Sequence, residues 1–386
     1  MPSQAGTVII MSVRKLADWR LSAGAFAALA LLAAGAAPAA ADSFAERANK
    51  GLVEVVTGDV NGTSARIAVD LADVLDDGAT RRVLPVLGKG SFQDLVDLKA
   101  LRGIDLAIVQ TDVLDYARQQ KLYPGLESSL TYVAKLYSEE FHLLARSEIK
   151  SVSDLVGKKV NFGPTSDGTS LTGARLFNLL KVRVEVTAYG QALALEKLRA
   201  GEIAAMAFVA GKPAPLFASL RPQEGLHFLA VPLKAEIAST YVPARLTADD
   251  YPGIVPPHAP VDTVAVGTVL IAANLAPDSE RYRNVVNFVE AFFTQFPKLL
   301  EAPHHPKWSE VNLAAELPNW RRFPAADAWI KRNGGTPVAL SEDQMRDIFT
   351  KFLDERSKIG GGTTLTAEQK EQLFDQFKRW QNEHAR

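Results

Sequence analysis

From Leu52 onward, short apolar runs alternate with helical patterns along most of the chain. Leu52–Thr57, Arg82–Leu87 and Ile104–Gln110 are strand-like, and Ser64–Leu75 and Ser91–Leu101 between them carry helical periodicity. Strands that alternate with helices predict βαβ units and a parallel sheet covered on both faces. Thr131–Tyr137 and Phe141–Arg146 predict two further strands joined by a Ser138-Glu139-Glu140 link. A second unit repeats the rhythm, with strands over Lys159–Phe162, Val182–Ala188, Ile203–Val209 and Leu226–Val231. Its helices are expected over Leu171–Leu180, Ala192–Ala200 and, briefly, Pro213–Leu220. Residues 232–260 read as irregular, Asp262–Ala273 as a long β-run that rejoins the first sheet, and Ser279–Phe296 as an amphipathic helix. Residues 297–337 are Trp- and Pro-rich and less regular.

Two such α/β units, with the chain crossing between them near Tyr137–Phe141 and again near Val231, describe a bilobed body. The expected division is lobe one over 42–137, lobe two over 138–231 and a return over 232–337. Ligands of open α/β sheets bind beyond the carboxyl ends of the strands, so the cleft between facing units is the expected site.

Both ends of the chain carry separate signals. Arg14, Lys15 and Arg20 precede an uncharged Ala- and Leu-rich run from Leu21 to Ala37, followed by Ala39-Ala40-Ala41. This is the order of a cleaved export signal, here residues 1–41, and the run is short for a membrane span of about 20 residues. At the other end, Leu340-Ser341-Glu342-Asp343-Gln344 and Leu365-Thr366-Ala367-Glu368-Gln369 match at an offset of 25 residues. Each opens with a capping box, and Gly360-Gly361-Gly362 separates them, so 338–386 is expected to be a helical hairpin accessory to the body.

Composition narrows the chemistry. The chain has 43 Lys plus Arg against 44 Asp plus Glu and no Cys. Without a basic excess, nucleic-acid binding is not expected. The lack of thiols excludes disulfides, thiolate metal sites and Cys nucleophiles. Six scattered His offer no metal cage, so neither metal nor cofactor is expected. Removal of residues 1–41 leaves the mature chain at −3, so any attraction for an anion must be local.

The candidate site residues fall in loops that leave strand ends. In Gly58-Asp59-Val60-Asn61-Gly62-Thr63-Ser64, free amides at the helix start could hold a carboxylate, or the loop could be an ordinary tight turn. Arg66, just beyond, could pair a carboxylate or point to solvent. Gly88-Lys89-Gly90-Ser91 lacks the P-loop spacing. Gln110, Thr111 and Asp112 end an apolar strand as either a helix cap or a ligand contact. Thr165, Ser166, Gly168, Thr169 and Ser170 place hydroxyls and glycines before a helix, and suit a small polar ligand better than catalysis. Ala210, Gly211 and Lys212 form a parallel loop, and Tyr137, Glu139 and His142 lie at the crossing. No poised nucleophile and base accompany these residues, so no enzyme activity is expected.

Gly103-Ile104-Asp105-Leu106-Ala107-Ile108-Val109-Gln110-Thr111-Asp112-Val113, together with Tyr132–Leu220, resembles the TAXI family of periplasmic receptors for tripartite (TRAP) transporters. The telling stretches are YVAKLYSEEFHLLARSEIKSVSDLVGKKVNFGPTSDGT and LEKLRAGEIAAMAFVAGKPAP, and the likeness extends over 52–329. The resemblance implies a two-lobed, type II periplasmic-binding (Venus flytrap) α/β fold, here with a C-terminal helical extension. It also implies a TRAP membrane permease as partner and a small organic anion, a carboxylate or an amino acid, as solute. An ABC-importer receptor or the sensing subunit of a membrane signalling system would share the architecture. In the first loop the family has T-G-G-T-G-G-x-Y-Y-P, whereas Ser64 and Ala65 stand here for the two Tyr and Arg66 for the Pro. The pocket wall contributed by that loop is therefore expected to be smaller and more polar.

Overall fold

Among the described residues, ten strands form one continuous sheet, in the order β2 (Arg82–Leu87), β1 (Leu52–Thr57), β3 (Ile104–Gln110), β10 (Val261–Ala273), β4 (Leu130–Arg146), β7 (Ala205–Ala210), β5 (Lys159–Asn161) and β6 (Glu185–Thr187), with β8 (Leu226–Phe228) added to β4 and β9 (Val242–Leu246) to β10. The computed structural model describes residues 49–333 and the isolated positions 366, 368, 371, 374 and 375. The export signal and nearly all of the tail hairpin lie outside the described residues. Of the hairpin's apolar positions only Phe374 is described, and it is buried. From Gly51 on, the described residues form one compact unit. Among the described residues, no helix is long and apolar enough to cross a membrane.

The first half of the sheet follows the hydrophobic pattern closely. Strands β1 (Leu52–Thr57), β2 (Arg82–Leu87) and β3 (Ile104–Gln110) are parallel neighbours, connected by helices α1 (Thr63–Leu75) and α2 (Ser91–Ala100). Every residue of β3 is buried, as expected for a central strand covered on both faces. Helix α3 (Thr111–Gln119) leaves β3 directly, and a short helix α4 (Leu126–Ser129) leads into the longest strand.

That strand, β4 (Leu130–Arg146), runs unbroken for 17 residues through the segment where the sequence placed a link. Ser138, Glu139 and Glu140 stay extended because each acid finds a partner at the crossing, and because β10 (Val261–Ala273) pairs alongside in antiparallel register. The hydrophobic cores change over at this point. On β4, residues up to Tyr137 pack in two clusters on either face of the first half-sheet; from Phe141 they pack in two clusters of the second. On β10 the changeover falls between Val266 and Val269. Two cores joined by two long antiparallel strands make this a mixed α/β fold of the type II binding-protein kind.

The second half contains β5 (Lys159–Asn161), α5 (Gly168–Leu180), β6 (Glu185–Thr187), α6 (Gln191–Arg199) and β7 (Ala205–Ala210). β5 lies parallel between β6 and β7, while β7 runs antiparallel to β4. Two strands are shorter than their apolar runs. Only Glu185–Thr187 of Val182–Ala188 forms a regular ladder, and only β8 (Leu226–Phe228) of Leu226–Val231; beyond β8 the Leu229 and Val231 amides donate singly to the Leu143 and Asp262 carbonyls while their side chains pack in the core. Residues 232–260 hold a short helix α7 (Ala235–Ala238) and β9 (Val242–Leu246), which the sequence did not reveal. Ile237, Tyr241 and Tyr251 pack in the second half's cores, so the chain returns along β10 and not near Val231. Helices α8 (Glu280–Leu299) and α9 (Pro324–Arg332) then cover the first half.

Candidate functional site

The carboxyl ends of β1 and β3 face the start of α5 and the end of β7 across the crossing strands, and a small cavity lies between them. Its walls come from both halves: Gly58, Gly62 and Ser64 from the first loop, Gly90 and Gln110 from the next two turns, and Asp167, Phe208 and Val209 opposite. Glu139 and Thr268, from the two crossing strands, form the floor. Its volume of about 30 Å³ is room for one or two waters. A larger solute can enter only when the halves separate.

The halves meet through direct hydrogen bonds around this cavity. Ser166 Oγ donates to the Lys89 carbonyl at 3.1 Å, and the Gln93 amide donates to the Ser166 carbonyl at 3.3 Å. Thr63 Oγ1 donates to the Gly211 carbonyl at 2.9 Å. Asp112 is fully enclosed, and its Oδ2 accepts from Thr172 Oγ1 at 2.7 Å and from the Tyr241 hydroxyl at 3.0 Å. Two glycines permit the approach. Gly90 has φ of +107°, and a Cβ there would lie 2.6 Å from the Asp167 Cα. At Gly168 a Cβ would collide with Gln110 Oε1.

The electrostatics of the cavity are one-sided. Glu139 accepts from Gln110 Nε2 at 2.8 Å and from the Tyr137 hydroxyl at 3.1 Å. Loss of hydration on burial outweighs these bonds and, with Asp167 and Glu140 nearby, pushes its carboxyl up to about 7. Asp167 caps α5 through the Thr169 amide at 3.2 Å, yet burial and the neighbouring Asp59 raise it to about 6. Behind the Gly88–Gly90 turn, Asp94 is raised to about 8, chiefly by burial. Among the described residues, no Lys, Arg or His lines the cavity.

The candidate residues separate accordingly. Gly58, Gly62, Ser64 and Gln110 line the cavity. Thr63, Asp112, Ser166, Gly168 and Gly211 lie at the contact between the halves instead. Tyr137 and Thr169 act from behind, on Glu139 and on the Val209 amide. Thr111 begins α3 beside Gly267, Ser170 and Ala210 are engaged through their backbones, and Thr165 is exposed. Asn61 is bound to Asp59 at the half-exposed loop tip. Arg66 is not brought to the cavity: its guanidinium pairs with Asp70 at 3.0 Å and donates to the Pro303 carbonyl. Lys212 likewise turns away, to Asp250 at 2.9 Å. His142 is a core residue. Its Nδ1 bonds the Phe208 carbonyl, Nε2 lies 2.6 Å from the Tyr251 hydroxyl, and burial holds it neutral with a pKa near 4. Sequence reasoning placed Glu139 at the crossing and Asp59 and Asp167 within candidate loops but gave their carboxylates no part in the wall, and it did not select Ser91. The one signal for Glu139 and Asp167 was an acid placed where an apolar strand or a Gly-rich turn had no evident solvent face.

Two comparisons with solved structures show chains of similar extent. The periplasmic binding protein BugD matches with 13% identity and a TM-score of 0.44, over 73% of this chain and 93% of that one. The alkanesulfonate-binding protein SsuA from Xanthomonas axonopodis pv. citri, bound to MOPS, matches with 15% identity and a TM-score of 0.42, over 80% and 94%. Residues 56–321, which carry the whole of both half-sheets apart from the first residues of β1, match the family model described as NMT1-like, and this chain belongs to the NMT1-like family.

Proposed function

We propose that this protein is an exported, periplasmic solute receptor that captures a small polar solute between its two halves and delivers it to a TRAP-type membrane permease. The observation that carries this reading is the cavity walled by both halves at the point where the hydrophobic cores change over. A solute that touches both walls favours the closed arrangement, and its release requires the halves to part about β4 and β10. The export signal read from residues 14–41 and the TAXI-like segments of β3–α3 and 132–220 support export and the transporter type. Binding without chemical change is the proposed activity, since the polar wall side chains are carboxylates, an amide and hydroxyls with no base–nucleophile pair among the described residues. The carboxylate or amino-acid class remains the proposed solute class. Small-angle scattering with and without a solute panel tests the reading: a bound solute should reduce the radius of gyration, and no change with any bound solute would remove it.

A further inference from the structure

The charged side chains on the cavity walls, Asp59, Glu139 and Asp167, are all carboxylates. Glu139 is 5% exposed and Gln110 3%, so both side chains are out of water. Gln110 donates its Nε2 hydrogens toward Glu139, and its Oε1 is buried with no hydrogen-bond partner. A buried carbonyl oxygen without a donor is costly, and one on the wall of a ligand cavity marks where a donor belongs. Asp167 faces the same space, and Asp59 stands beside it. Three cations of these elements are committed elsewhere, Arg66 to Asp70, Lys212 to Asp250, and Lys307 to Glu140 and Glu310, and neither Lys89 nor Arg175 lines the cavity. Two carboxylates and an unpartnered carbonyl therefore converge on a space that no cation among the described residues lines.

We infer that the cavity recognises a cationic nitrogen of its solute, a primary ammonium held by Glu139 and the Gln110 carbonyl oxygen and facing Asp167. A primary ammonium carries three hydrogens for these acceptors and supplies the positive charge the walls lack. A dicarboxylate would instead bring like charge against Glu139 and Asp167 in a space shielded from water, where repulsion is strongest. The solute thus belongs to the amines and amino acids, and dicarboxylates are rejected. This inference rests on the receptor reading above.

Calorimetric titration at pH 8 with putrescine, L-alanine, succinate and glucose tests it, with circular dichroism confirming the fold of each variant. The expected result is binding of at least one ammonium-bearing probe and of neither succinate nor glucose. Glu139→Gln should then weaken that probe at least tenfold, and Asp167→Asn should weaken it by a smaller factor. If succinate or glucose binds and neither amine does, the inference falls while the receptor reading stands. Amine binding that both variants leave unchanged overturns the assignment to this cavity. Binding of none of the four probes overturns the inference and counts against the receptor reading as well.

Discussion

Glu139 and Glu140 are neighbours on one strand, and because side chains alternate across a strand they serve opposite faces of the crossing. Glu140 turns to a wholly protein-made partner: its Oε1 accepts from Lys307 Nζ at 2.6 Å and its Oε2 from the Lys212 amide at 2.9 Å. Lys307, itself 3% exposed, also reaches Glu310, whose other carboxylate oxygen accepts from the Ser138 amide. Segment Pro306–Glu310 is thereby tied to the crossing strand. Glu139 has only neutral donors and faces the cavity. The same residue type, equally buried, is neutralised by the fold on one face and left without a counter-charge on the other. Glu140 is neutralised within the fold, whereas Glu139, left without a counter-charge beside a cavity, is available to a ligand.

The comparison can be broken most severely from the paired side. Lys307→Met leaves Glu140 buried without its cation and should cost about 3–5 kcal/mol in urea-induced unfolding. Adding Glu140→Gln to that variant should recover a large part of the loss. An effect below ~1 kcal/mol would show that the pair does not anchor the crossing.

A methyl group at Gly168 acts on the contact between the halves. Gly168→Ala forces Gln110 Oε1 aside and should cost about 1–3 kcal/mol by overpacking, read as a fall in the urea midpoint. The halves should also sit further apart in small-angle scattering. An unchanged radius of gyration would mean that the turn gives way without opening the cleft.

The unpaired side responds to pH. Glu139 has its folded pKa raised from the ordinary 4.5 to about 7, so the folded chain holds a proton that the unfolded chain releases. The contribution of Glu139 to stability is therefore greatest below the ordinary carboxylate range and is lost as pH rises through the interval from 4.5 to about 7. Asp167 and Asp94, raised to about 6 and 8, act in the same direction. Glu139→Gln should flatten this decline and raise stability at pH 8 by on the order of 1 kcal/mol. Equal slopes for the two proteins, measured as urea midpoints from pH 5 to 8, would remove Glu139 as a source.

The smallest effect belongs to Arg66. Its half-exposed i,i+4 pair with Asp70 lies away from the cavity, and Asp70 keeps Trp308 Nε1 and the His305 amide as donors. Arg66→Ala should cost less than about 1 kcal/mol and leave solute affinity within twofold. A tenfold loss of affinity would return Arg66 to the site.

Local pattern was enough for β1, β2, β3 and helices α1, α2 and α8, whose apolar periodicity spans whole elements. It also pointed to the loops at the strand ends, since Gly58, Gly62, Ser64 and Gln110 do line the cavity. It misread Ser138-Glu139-Glu140 as a link, because polar residues inside a strand look like a turn until their partners are known. Those partners are distant in the chain: Gln110 lies 29 positions from Glu139, and Lys307 lies 167 from Glu140. Likewise β9 was invisible, as Val242–Leu246 carries a Pro and an Arg and is held as a strand only by its ladder with β10.

What the sequence determined by itself is the alternation of strands and helices, and with it the α/β class, because burial of an apolar face is a local demand that each segment states in its own period. The tertiary structure alone decided the sign of the site. Whether a carboxylate is neutralised or left open depends on which cation the fold brings within a few ångströms. That choice came from Lys307 reaching Glu140, and from Arg66 and Lys212 turning to Asp70 and Asp250, so that no cation among the described residues lines the cavity beside Glu139.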